Sequence, residues 1–564
     1  MIAHVVFDLP LEEPFDYAIP SSLKDKTFVG VRVKVPFGRR HAMGFVVGLA
    51  QGSAIASLKE ISSVVDAQPI FDGTDLEFAR RFSAYYGCSL GEALMTMLRH
   101  AKNRVLVSPR VRQSSVVLHH CPGGYAQVWT DLIKAGQRVL ILVPDLSALK
   151  ALPLSLTANP AIRVGLRSAV FEADANVDLV IMCDEADASY KQEQSPMYET
   201  RDTLLMRAVL YRFDVAFVSV SPSVELMALV GEGKVTQVDV QPQALAKIKP
   251  VDLTNYKFLD KGILSPVVRQ QLEHILKNKG KALLVLNRKG SYRVTRCVDC
   301  DHVLKCPRCD IPLAYSRLKK YFSCTHCTSQ MPADTVCPTC HKPSWRSYGM
   351  GVEQIHKQIE QLFPTARIAS FERTEGVTLK SCDILIATQA ILRFQGQVMF
   401  DGVALVDFDS ELNRMDIRSS FKAWNLARQV RLMSRGDVYV QTRNIDHYVV
   451  KSLVNDEAQL FYDQEMRLRK ELGFAPFKHW VQLTLRSKNE KSSQQAAQDV
   501  YNILQAGVKD QATPPAAEPK KRDQFRFNIM VQCDEVAPTV ATVKSALTKT
   551  KRNSRVITTI NVDP

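Results

Sequence analysis

Three apolar runs decide the fold of the first half of the chain: RVLILVPD (138–145), VDLVIMCDEAD (177–187) and DVAFVSVSPS (214–223). Helix-length segments separate them. Strands that are buried on both faces have such near-continuous apolar sequences, and strands that alternate with helices form parallel sheets. The runs therefore predict a lobe that is built of βαβ units.

The same rhythm returns later in the chain, in ARIASFE (366–372), CDILIATQ (382–389), GVALVDFDS (402–410) and DVYVQT (437–442). A cysteine-rich segment separates this set from the first one. The simplest arrangement is two α/β lobes with a metal-binding module inserted between them. We expect lobe 1 over residues 105–285, the module over 286–348 and lobe 2 over 349–455.

The two ends of the chain have different patterns. Residues 1–104 begin with short period-two runs, broken by Pro and Gly, and continue with apolar residues at helical spacing. This predicts a small β-rich domain with a helical tail. Residues 456–564 predict a small α+β domain, in which the Pro- and charge-rich stretch 509–523 reads as a flexible loop. The chain is therefore predicted to be a multidomain α/β protein.

Composition narrows the class of function. With 564 residues, a net charge of +15 and a pI near 9.2, the chain favours polyanionic partners, because each phosphate contact releases counterions. Charge alone does not establish nucleic-acid binding. No apolar stretch reaches the roughly 18 residues of a membrane span, and the early acidic residues are unlike a signal peptide. We expect a cytoplasmic, nucleoid-associated protein with no membrane partner.

Eight of the thirteen cysteines form C-x-x-C pairs: Cys297/Cys300, Cys306/Cys309, Cys324/Cys327 and Cys337/Cys340. Zinc in structural sites takes four tetrahedral ligands, and one such pair supplies two of them. A redox dithiol would need a single pair. The array therefore predicts two closed, structural zinc sites as cofactors.

Spacing leaves the pairing of these motifs open. The middle pairs enclose residues 310–323, which read as a short hairpin. This favours an inner site of Cys306, Cys309, Cys324 and Cys327, and an outer site of Cys297, Cys300, Cys337 and Cys340. Sequential pairing, over 297–309 and 324–340, is the alternative.

Several motifs together resemble the bacterial PriA replication-restart family. They are PFDYAIP (14–20), VRVKVPFGRR (31–40), DEADASYKQEQ (184–194), the cysteine array followed by GMGVEQIHKQIEQLFP (349–364), and ELGFAPF (471–477). Their order resembles the family over nearly the whole chain, and the combination is highly specific. The resemblance implies two RecA-like helicase lobes, which in the family hydrolyse ATP to unwind DNA.

The resemblance also implies site residues and partners. An N-terminal pocket would hold the 3′ end of a strand at a fork, and its residues here would be Asp16, Tyr17, Phe37 and Gly38. The family pairs the outer cysteines with each other and the inner ones with each other. The implied partners are forked or branched DNA with a 3′ end, single-stranded DNA-binding protein, and the replicative helicase with its loader.

The chain departs from the family where nucleotide should bind. A phosphate-binding loop requires G-x-x-x-x-G-K-[ST], yet LHHCPGGYAQVW (118–129) has Tyr125 in place of the lysine and Ala126 in place of the Ser or Thr. Phosphoryl transfer depends on that charge and positioning. We therefore expect neither ATP nor Mg²⁺ as a cofactor, and we interpret Asp184 and Glu185 as remnants of a catalytic site.

Two further departures point the same way. The arginine motif of the family appears as QVRLMSRG (429–436) without its glycines, and Arg431 and Arg435 are the candidates to replace its arginines. The family usually carries a winged helix before lobe 1, and the segment between Arg104 and Val116 is too short for one.

These observations favour a non-catalytic scaffold that binds forked DNA and D-loops and recruits primosome proteins to reload the replicative helicase. The first alternative is a divergent but active ATP-dependent 3′→5′ DNA helicase. The second is a zinc-ribbon nucleic-acid-binding protein that acts outside replication.

Overall fold

The computed structural model describes most of the chain. The described residues are 1–55, 57–100, 106, 113–124, 128–240, 245–254, 264–286, 294–300, 302–308, 312–316, 321–324, 329–332, 334–348, 352–371, 381–413, 416–508, 511–550 and 555–564. No helix within these ranges has the length and apolar content that crossing a bilayer requires.

The N-terminal domain is an antiparallel sheet with two helices behind it. Its strands are β1 (Ile2–Val6), β2 (Phe15–Ala18), β3 (Arg32–Phe37), β4 (Arg40–Ala50) and β5 (Ser63–Val64), in the order β2-β1-β4-β3-β5. Helix α1 (Gly73–Tyr86) begins at a capping box of Asp72 and Asp75, which satisfies free N–H groups of the first turn. Helix α2 (Leu90–His100) follows. The predicted β-rich domain with a helical tail is confirmed.

Lobe 1 is a six-stranded parallel sheet in the order β11-β6-β10-β9-β7-β8. Its strands are β6 (Val116–His120), β7 (Val139–Leu142), β8 (Ile162–Gly165), β9 (Leu179–Cys183), β10 (Asp214–Ser219) and β11 (Thr236–Asp239). Its helices are α3 (Trp129–Leu132), α4 (Leu146–Ala151), α5 (Leu154–Thr157), α6 (Thr200–Tyr211) and α7 (Val224–Gly231). The three apolar runs are the adjacent strands β7, β9 and β10, so the prediction of a buried parallel sheet is confirmed.

The chain then passes into a second sheet and from it into the cysteine module. Strand β12 (Ile248–Asp252), helix α8 (Pro266–Lys277) and strand β13 (Ala282–Leu286) come first. The module pairs β14 (Val294–Cys297) with β18 (Trp345–Tyr348), and between them lies a three-stranded sheet of β15 (Ala314–Ser316), β16 (Tyr321–Ser323) and β17 (Gln330–Pro332). The predicted hairpin inside the module corresponds to β15 and β16.

The second sheet is also parallel and six-stranded, in the order β12-β22-β21-β13-β20-β19. After the module, lobe 2 continues with the strands β19 (Ile368–Phe371), β20 (Ile384–Thr388), β21 (Gly402–Leu405) and β22 (Val438–Thr442). Its helices there are α9 (Val352–Leu362), α10 (Asp409–Leu412), α11 (Ser419–Arg431) and α12 (Tyr448–Asn455). The apolar runs of the second set form β19 to β22, as predicted.

The predicted boundary between the lobes was wrong. Strands β12 and β13 were expected in lobe 1, within 105–285, but they pair with β22, β20 and β21 in the second sheet. The module is therefore an insertion inside lobe 2 and does not lie between two complete lobes. An apolar run shows that a strand is buried, but it carries no information about which sheet the strand joins.

The C-terminal domain consists of helix α13 (Ala458–Leu472), helices α14 (Glu490–Val508) and α15 (Val536–Lys549), and an antiparallel sheet. The sheet order is β24-β25-β23-β26, from β23 (His479–Ser487), β24 (Ala516–Lys521), β25 (Gln524–Cys533) and β26 (Ile557–Val562). The flexible loop predicted over 509–523 was wrong for 516–521, which form β24. This strand tolerates Pro519 because it lies at the sheet edge. Residues 509 and 510 lie outside the described residues.

The predicted lack of a winged helix concerns residues 104–116. Of these, the structure describes only residue 106 and residues 113–116. The absence of that domain stays a prediction.

A buried ionic junction joins helix α13 to lobe 1. The guanidinium of Arg469 donates from Nε to Glu465 on the same helix and from Nη1 to Glu225 on α7, both at 3.0 Å. Only 3% of the Arg469 side chain is exposed. Tyr462, also on α13, donates its hydroxyl to the carbonyl of Pro222 in lobe 1 at 2.6 Å. Helix α13 is therefore fixed to lobe 1 by charge and by a hydrogen bond.

The charges at this junction alter the pKa of Glu225. Burial alone would raise that pKa, but the guanidiniums of Arg469 and Arg201 lower it to about 2. In the unfolded chain a glutamate titrates near 4.3, at roughly its reference value. The ionised Glu225 therefore stabilises the fold above that pH, and this stabilisation is lost as the pH falls towards 2.

Replacing Arg469 with Met should lower the free energy of unfolding by about 3–5 kcal/mol at pH 7, because two mostly buried carboxylates lose their cation. The difference from the wild type should narrow between pH 4.5 and pH 2.5 (about the range between the two pKa values), since the variant has less ionic stabilisation to lose. Urea unfolding at a series of pH values measures both effects.

The matched control is Arg467→Met on the same helix, where Arg467 is exposed and pairs with Glu471. An exposed i,i+4 pair contributes about 0.3–0.5 kcal/mol, so this variant should stay close to the wild type. Equal destabilisation by the two substitutions would contradict the role of the junction.

Candidate functional site

The N-terminal residues implied by the resemblance lie on neighbouring strands. Asp16 and Tyr17 are on β2, Phe37 ends β3, and Gly38 begins the two-residue turn into β4. Gly38 has a φ of +60°, in the left-handed region that suits glycine in such hairpin turns. Among the described residues other than its two chain neighbours, none has an atom within 4 Å of the position that a Cβ would take there. The turn is therefore open to a ligand.

Asp16 lies in a small polar cluster. Its Oδ1 hydrogen-bonds His4 Nδ1 at 2.7 Å, and its Oδ2 accepts from Ser53 Oγ at 2.5 Å. The hydrogen bond from Ser53, with a contribution from His4, lowers the pKa of Asp16 despite partial burial. The carboxylate is therefore ionised at neutral pH, and 18% of its side chain is exposed. Sequence reasoning missed His4 and Ser53.

Tyr17 and Phe37 belong to an aromatic cluster on the other face of β2. Successive side chains of a strand point to opposite faces, so Asp16 and Tyr17 diverge. The Phe37 ring packs against Phe7 and Phe15 at centroid distances of 4.6 and 5.5 Å. Tyr17 is buried, which raises its pKa, and its hydroxyl donates to the Pro36 carbonyl at 3.0 Å. The structure brings Tyr17 and Phe37 together and places Asp16 apart from them.

Four cysteines of the module form a compact cluster. The sulfur atoms of Cys297, Cys300, Cys337 and Cys340 all lie within 4.8 Å of one another. Two Sγ–Sγ distances are short, 3.4 Å between Cys297 and Cys340 and 3.5 Å between Cys300 and Cys337. Four thiolates at about 2.3 Å from a tetrahedral zinc ion would be about 3.8 Å apart, so the cluster fits that metal. The arrangement joins the outer pairs, as favoured from spacing.

The electrostatics of the cluster favour a thiolate at Cys337. Burial opposes ionisation, but the backbone N–H groups of Cys340 and Thr339 lower the pKa of Cys337 to about 7. Zinc binds the thiolate form of cysteine. The inner set is described only in part: Cys306 and Cys324 lie in one buried cluster with Leu304, Leu313 and Phe322, whereas Cys309 and Cys327 lie outside the described residues.

A cleft of about 640 Å³ lies between the two lobes. Lobe 1 contributes the loops that follow its strands, at the carboxyl edge of the sheet where α/β proteins bind ligands. Asp145 follows β7, Asp184 follows β9 and Ser221 follows β10. From lobe 2 come Arg393 and Asn425. Tyr125 and Ala126, the predicted replacements in the phosphate-binding loop, lie outside the described residues.

The two remnant acids have different surroundings. Asp184 lines the cleft, and its Oδ1 accepts a hydrogen bond from the Val220 N–H at 3.3 Å. Glu185 is 2% exposed and accepts from the N–H of Ser223, the N-cap residue of α7, at 2.7 Å. Burial raises the pKa of Glu185. Glu185 therefore interacts with the start of a helix, where an acid is stabilised by the helix dipole.

The candidate arginines Arg431 and Arg435 do not line the cleft. Arg431 forms an ion pair with Asp456, at 2.7 and 3.0 Å, and donates to the Ala246 carbonyl. Arg435 pairs with Asp401 at 3.4 Å on the surface. The idea that these two arginines replace those of the family motif is therefore not supported by their positions.

Another arginine of the same helix was missed by sequence reasoning. Arg428 lies over the ring of Trp424, 4.7 Å from its centroid, and Nη2 donates to the Val220 carbonyl of lobe 1 at 3.2 Å. Burial lowers the pKa of Arg428. The residue reaches across the lobe boundary and Nη2 bonds to the backbone there, whereas its buried Nε has no hydrogen-bond partner within the described residues.

The charges that line the cleft are mostly negative. Among the described lining residues, the acids are Asp145, Asp184 and Asp187 and the one permanent cation is Arg393. The Arg393 Nε is buried and has no hydrogen-bond partner within the described part of the chain. Such a lining accommodates polar groups, but it offers little positive charge to phosphates.

The chain is similar to PriA proteins in two kinds of sequence comparison. A family model described as the 3′ DNA-binding domain of PriA matches residues 4–99, and one described as the primosomal protein N C-terminal domain matches residues 470–564. The replication restart protein PriA of Treponema pallidum is 26% identical, covering 89% of each chain. That of Rickettsia conorii is 24% identical, covering 94% of each chain.

Solved structures add only weak likenesses. The Escherichia coli DExH-box NTPase HrpB has a TM-score of 0.33 at 11% identity, over 59% of this chain and 40% of that one. A DEAD box protein from Methanococcus jannaschii has a TM-score of 0.27 at 10% identity, over 64% of this chain and 86% of that one. The chain is thus similar to PriA proteins in its two end domains, which the family models match, and along most of its sequence, which the curated relatives cover.

Proposed function

We propose that this chain is a replication-restart scaffold that binds forked or branched DNA at a 3′ end and has no helicase activity. The proposed lack of helicase activity rests on the charge of the interlobe cleft. The described lining of this cleft has three carboxylates and a single guanidinium. The protein would recruit primosome proteins. Its partners would be single-stranded DNA-binding protein and the replicative helicase with its loader. The similarity to PriA supports this assignment.

Nucleotide hydrolysis requires cations where charge develops on the transferred phosphate. Motor proteins supply a lysine, a magnesium ion and arginines from the opposite lobe. Here the sequence has Tyr125 at the lysine position, and Arg431 and Arg435 are bonded to aspartates elsewhere. Arg428 donates to a backbone carbonyl. The reaction would therefore lack several sources of charge stabilisation at once.

Recognition of the DNA end is proposed for the N-terminal sheet. The ionised Asp16 can accept a hydrogen bond from a terminal 3′ hydroxyl, whereas a 3′ phosphate would be repelled by it. The cluster that includes Tyr17 and Phe37 offers aromatic surface at the open turn of Gly38, and bases stack on such surfaces. Phe15, at its rim, is 38% exposed.

The cysteine module is proposed to hold two zinc ions. The outer ion would be bound by Cys297, Cys300, Cys337 and Cys340, and the inner one by Cys306, Cys309, Cys324 and Cys327. The compact outer cluster supports the first site, and the shared burial of Cys306 and Cys324 supports the second. Zinc would fix the module as a rigid surface for DNA and partner proteins.

A divergent active helicase is the second candidate. The observation that favours it is the cleft itself, which is large enough for a nucleotide and still has Asp184 at its edge. In that case, Asp184 and Glu185 would hold magnesium and orient the attacking water.

The two candidates predict opposite results for ATP hydrolysis. The purified protein should bind a forked DNA with a 3′ hydroxyl on its leading strand and show no DNA-stimulated release of phosphate. The measurement is phosphate release with and without that fork, beside fork binding by fluorescence anisotropy. Stimulated turnover that Glu185→Gln abolishes would establish the helicase and overturn the scaffold.

Asp16→Ala should weaken binding to a fork with a 3′ hydroxyl by about tenfold, because a hydrogen bond to a charged group is lost. Binding to the same fork with a 3′ phosphate should not weaken and should become tighter, because the repulsion by the Asp16 carboxylate is removed. Anisotropy titrations of both forks measure the difference, and thermal unfolding shows whether the loss of the His4 and Ser53 contacts disturbs the fold.

The control for this variant is Asp25→Ala, which removes an exposed carboxylate from the same domain. It should leave both affinities unchanged. An equal loss by Asp16→Ala on both forks would exclude Asp16 from recognition of the 3′ hydroxyl.

Metal analysis tests the two zinc sites separately. The wild type should contain two zinc ions per chain, and Cys337→Ser and Cys306→Ser should each contain one, because each substitution opens one site. The matched control is Cys382→Ser, outside the module, which should keep both ions. A wild-type content near one by elemental analysis would contradict the two-site arrangement.

A further inference from the structure

A second cavity lies at the boundary between the N-terminal domain and lobe 1. It has a volume of about 440 Å³, and helix α2 contributes Thr96 and Arg99 to its wall. Lobe 1 contributes Arg167 and a run of polar residues after strand β9, which includes Ser189, Gln192 and Gln194. We call this cavity the seam pocket.

The lining of the seam pocket is suited to an anion. None of the described residues that line it is acidic, in contrast to the three aspartates of the interlobe cleft. Arginines supply positive charge, and hydroxyl and amide groups supply hydrogen-bond donors. Phosphate oxygens of nucleic acids are bound by this set of side chains.

Two side chains of the pocket are available to a ligand. The Ser189 Oγ is buried and has no hydrogen-bond partner within the described residues, which is costly unless a ligand or water satisfies it. Arg99 is 65% exposed, and its nearest carboxylate, that of Asp8, is 3.7 Å away. A phosphate group could therefore replace Asp8 as the ionic partner of Arg99.

Arg167 has a different role in the pocket. Its Nη1 donates to the carbonyls of Ser189 and Lys191, at 2.8 and 3.0 Å. These bonds hold the polar run against the wall of the pocket and leave the guanidinium charge beside it. Arg167 is thus a positioning residue for Ser189, while Arg99 can bind the ligand directly.

The position of the pocket connects it with the N-terminal sheet. Helix α2 is anchored on the segment after β1: Ser89 donates to the Leu9 carbonyl at 2.7 Å, and a Cβ on Gly91 would meet the Phe7 carbonyl at 1.7 Å. Phe7 packs against Phe37. Arg99, two turns further along α2, reaches Asp8, the next residue after Phe7. The aromatic cluster and the seam pocket are therefore linked through Phe7, Asp8 and Arg99.

We propose that the seam pocket binds an internal phosphodiester of the DNA strand whose 3′ end is held by the N-terminal sheet. This inference rests on the proposed function and extends it, because it assigns a second contact to the same strand. Two contacts on one strand would fix its direction as it passes from the N-terminal domain to lobe 1.

The test combines changes in the protein with changes in the DNA. Single methylphosphonates, which remove the charge of one phosphate, are placed at successive positions of the leading strand of a fork with a 3′ hydroxyl. The wild type should lose about three- to tenfold in affinity at one internal position as one charged contact disappears. With Arg99→Ala, a methylphosphonate at that position should no longer lower the affinity. The slope of log affinity against log salt should become shallower by the equivalent of about one phosphate contact.

Three comparisons separate the pocket from a general loss of charge. Arg99→Lys should restore most of the affinity, and Ser189→Ala should weaken the same position without changing net charge. Arg81→Ala on α1 removes an exposed arginine from the same domain and should leave the pattern unchanged. Inorganic phosphate is added as a competitor at the ionic strength of a chloride control.

Each outcome decides the matter. Coupling between Arg99 and one phosphate position supports the proposal. If the wild type binds the fork while Arg99→Ala loses equally at every position, the seam pocket is wrong and the proposed function stands. Competition by inorganic phosphate without any coupling assigns the pocket to a free anion. Absence of fork binding by the wild type overturns both proposals.

Discussion

Arg469 holds together two carboxylates from different parts of the chain. Glu465 lies one turn away on helix α13, and Glu225 belongs to lobe 1. The desolvation free energy of these three charges exceeds the attraction within any single ion pair. They are therefore stable in this buried position only when all three are paired. Lobe 1 and helix α13 must therefore dock together, and the domains at either end of α13 are positioned by that docking.

The end of the chain reinforces the same junction. Lys191 of lobe 1 donates to the Val562 carbonyl at 2.6 Å, and Arg418 of lobe 2 donates to the Asp563 carbonyl at 3.1 Å. Asp563 in turn raises the pKa of His479, to which it is hydrogen-bonded. Lobe 1 thus binds the end of the last strand of the C-terminal domain, and lobe 2 binds the residue that follows it. The C-terminal domain therefore also constrains the relative position of the lobes.

These contacts limit what a ligand in the cleft could do. The loop after β10 offers its Val220 carbonyl to Arg428 and its Pro222 carbonyl to Tyr462, so lobe 2 and helix α13 already bind it. A ligand shifts such an arrangement only by its difference in affinity for two states. A motor obtains that difference from phosphates, yet the cleft offers them little positive charge. Under the proposed function, lobes held by these contacts would give partner proteins a constant surface.

Sequence reasoning succeeded where one physical rule decides the outcome. Buried parallel strands must be apolar, so the runs around residues 139–142 and 384–388 could be recognised. It failed where the outcome depends on pairing in space. The run at 282–286 is apolar in either lobe, and β24 tolerates a proline only because it lies at an edge. The partnership of His4 with Asp16 depends on strand register, which the intervening loop does not reveal.

The distribution of charge favours a DNA-binding surface that lies outside the interlobe cleft. The net charge is +15, yet the described lining of the cleft has three acids to one arginine. Positive charge and hydrogen-bond donors without acids are found instead at the seam pocket, beside the N-terminal sheet. A polyanion follows the local field of the surface that it approaches. Under the proposed function, a DNA strand would pass along the N-terminal domain and onto lobe 1, and no nucleotide would be needed to hold it there.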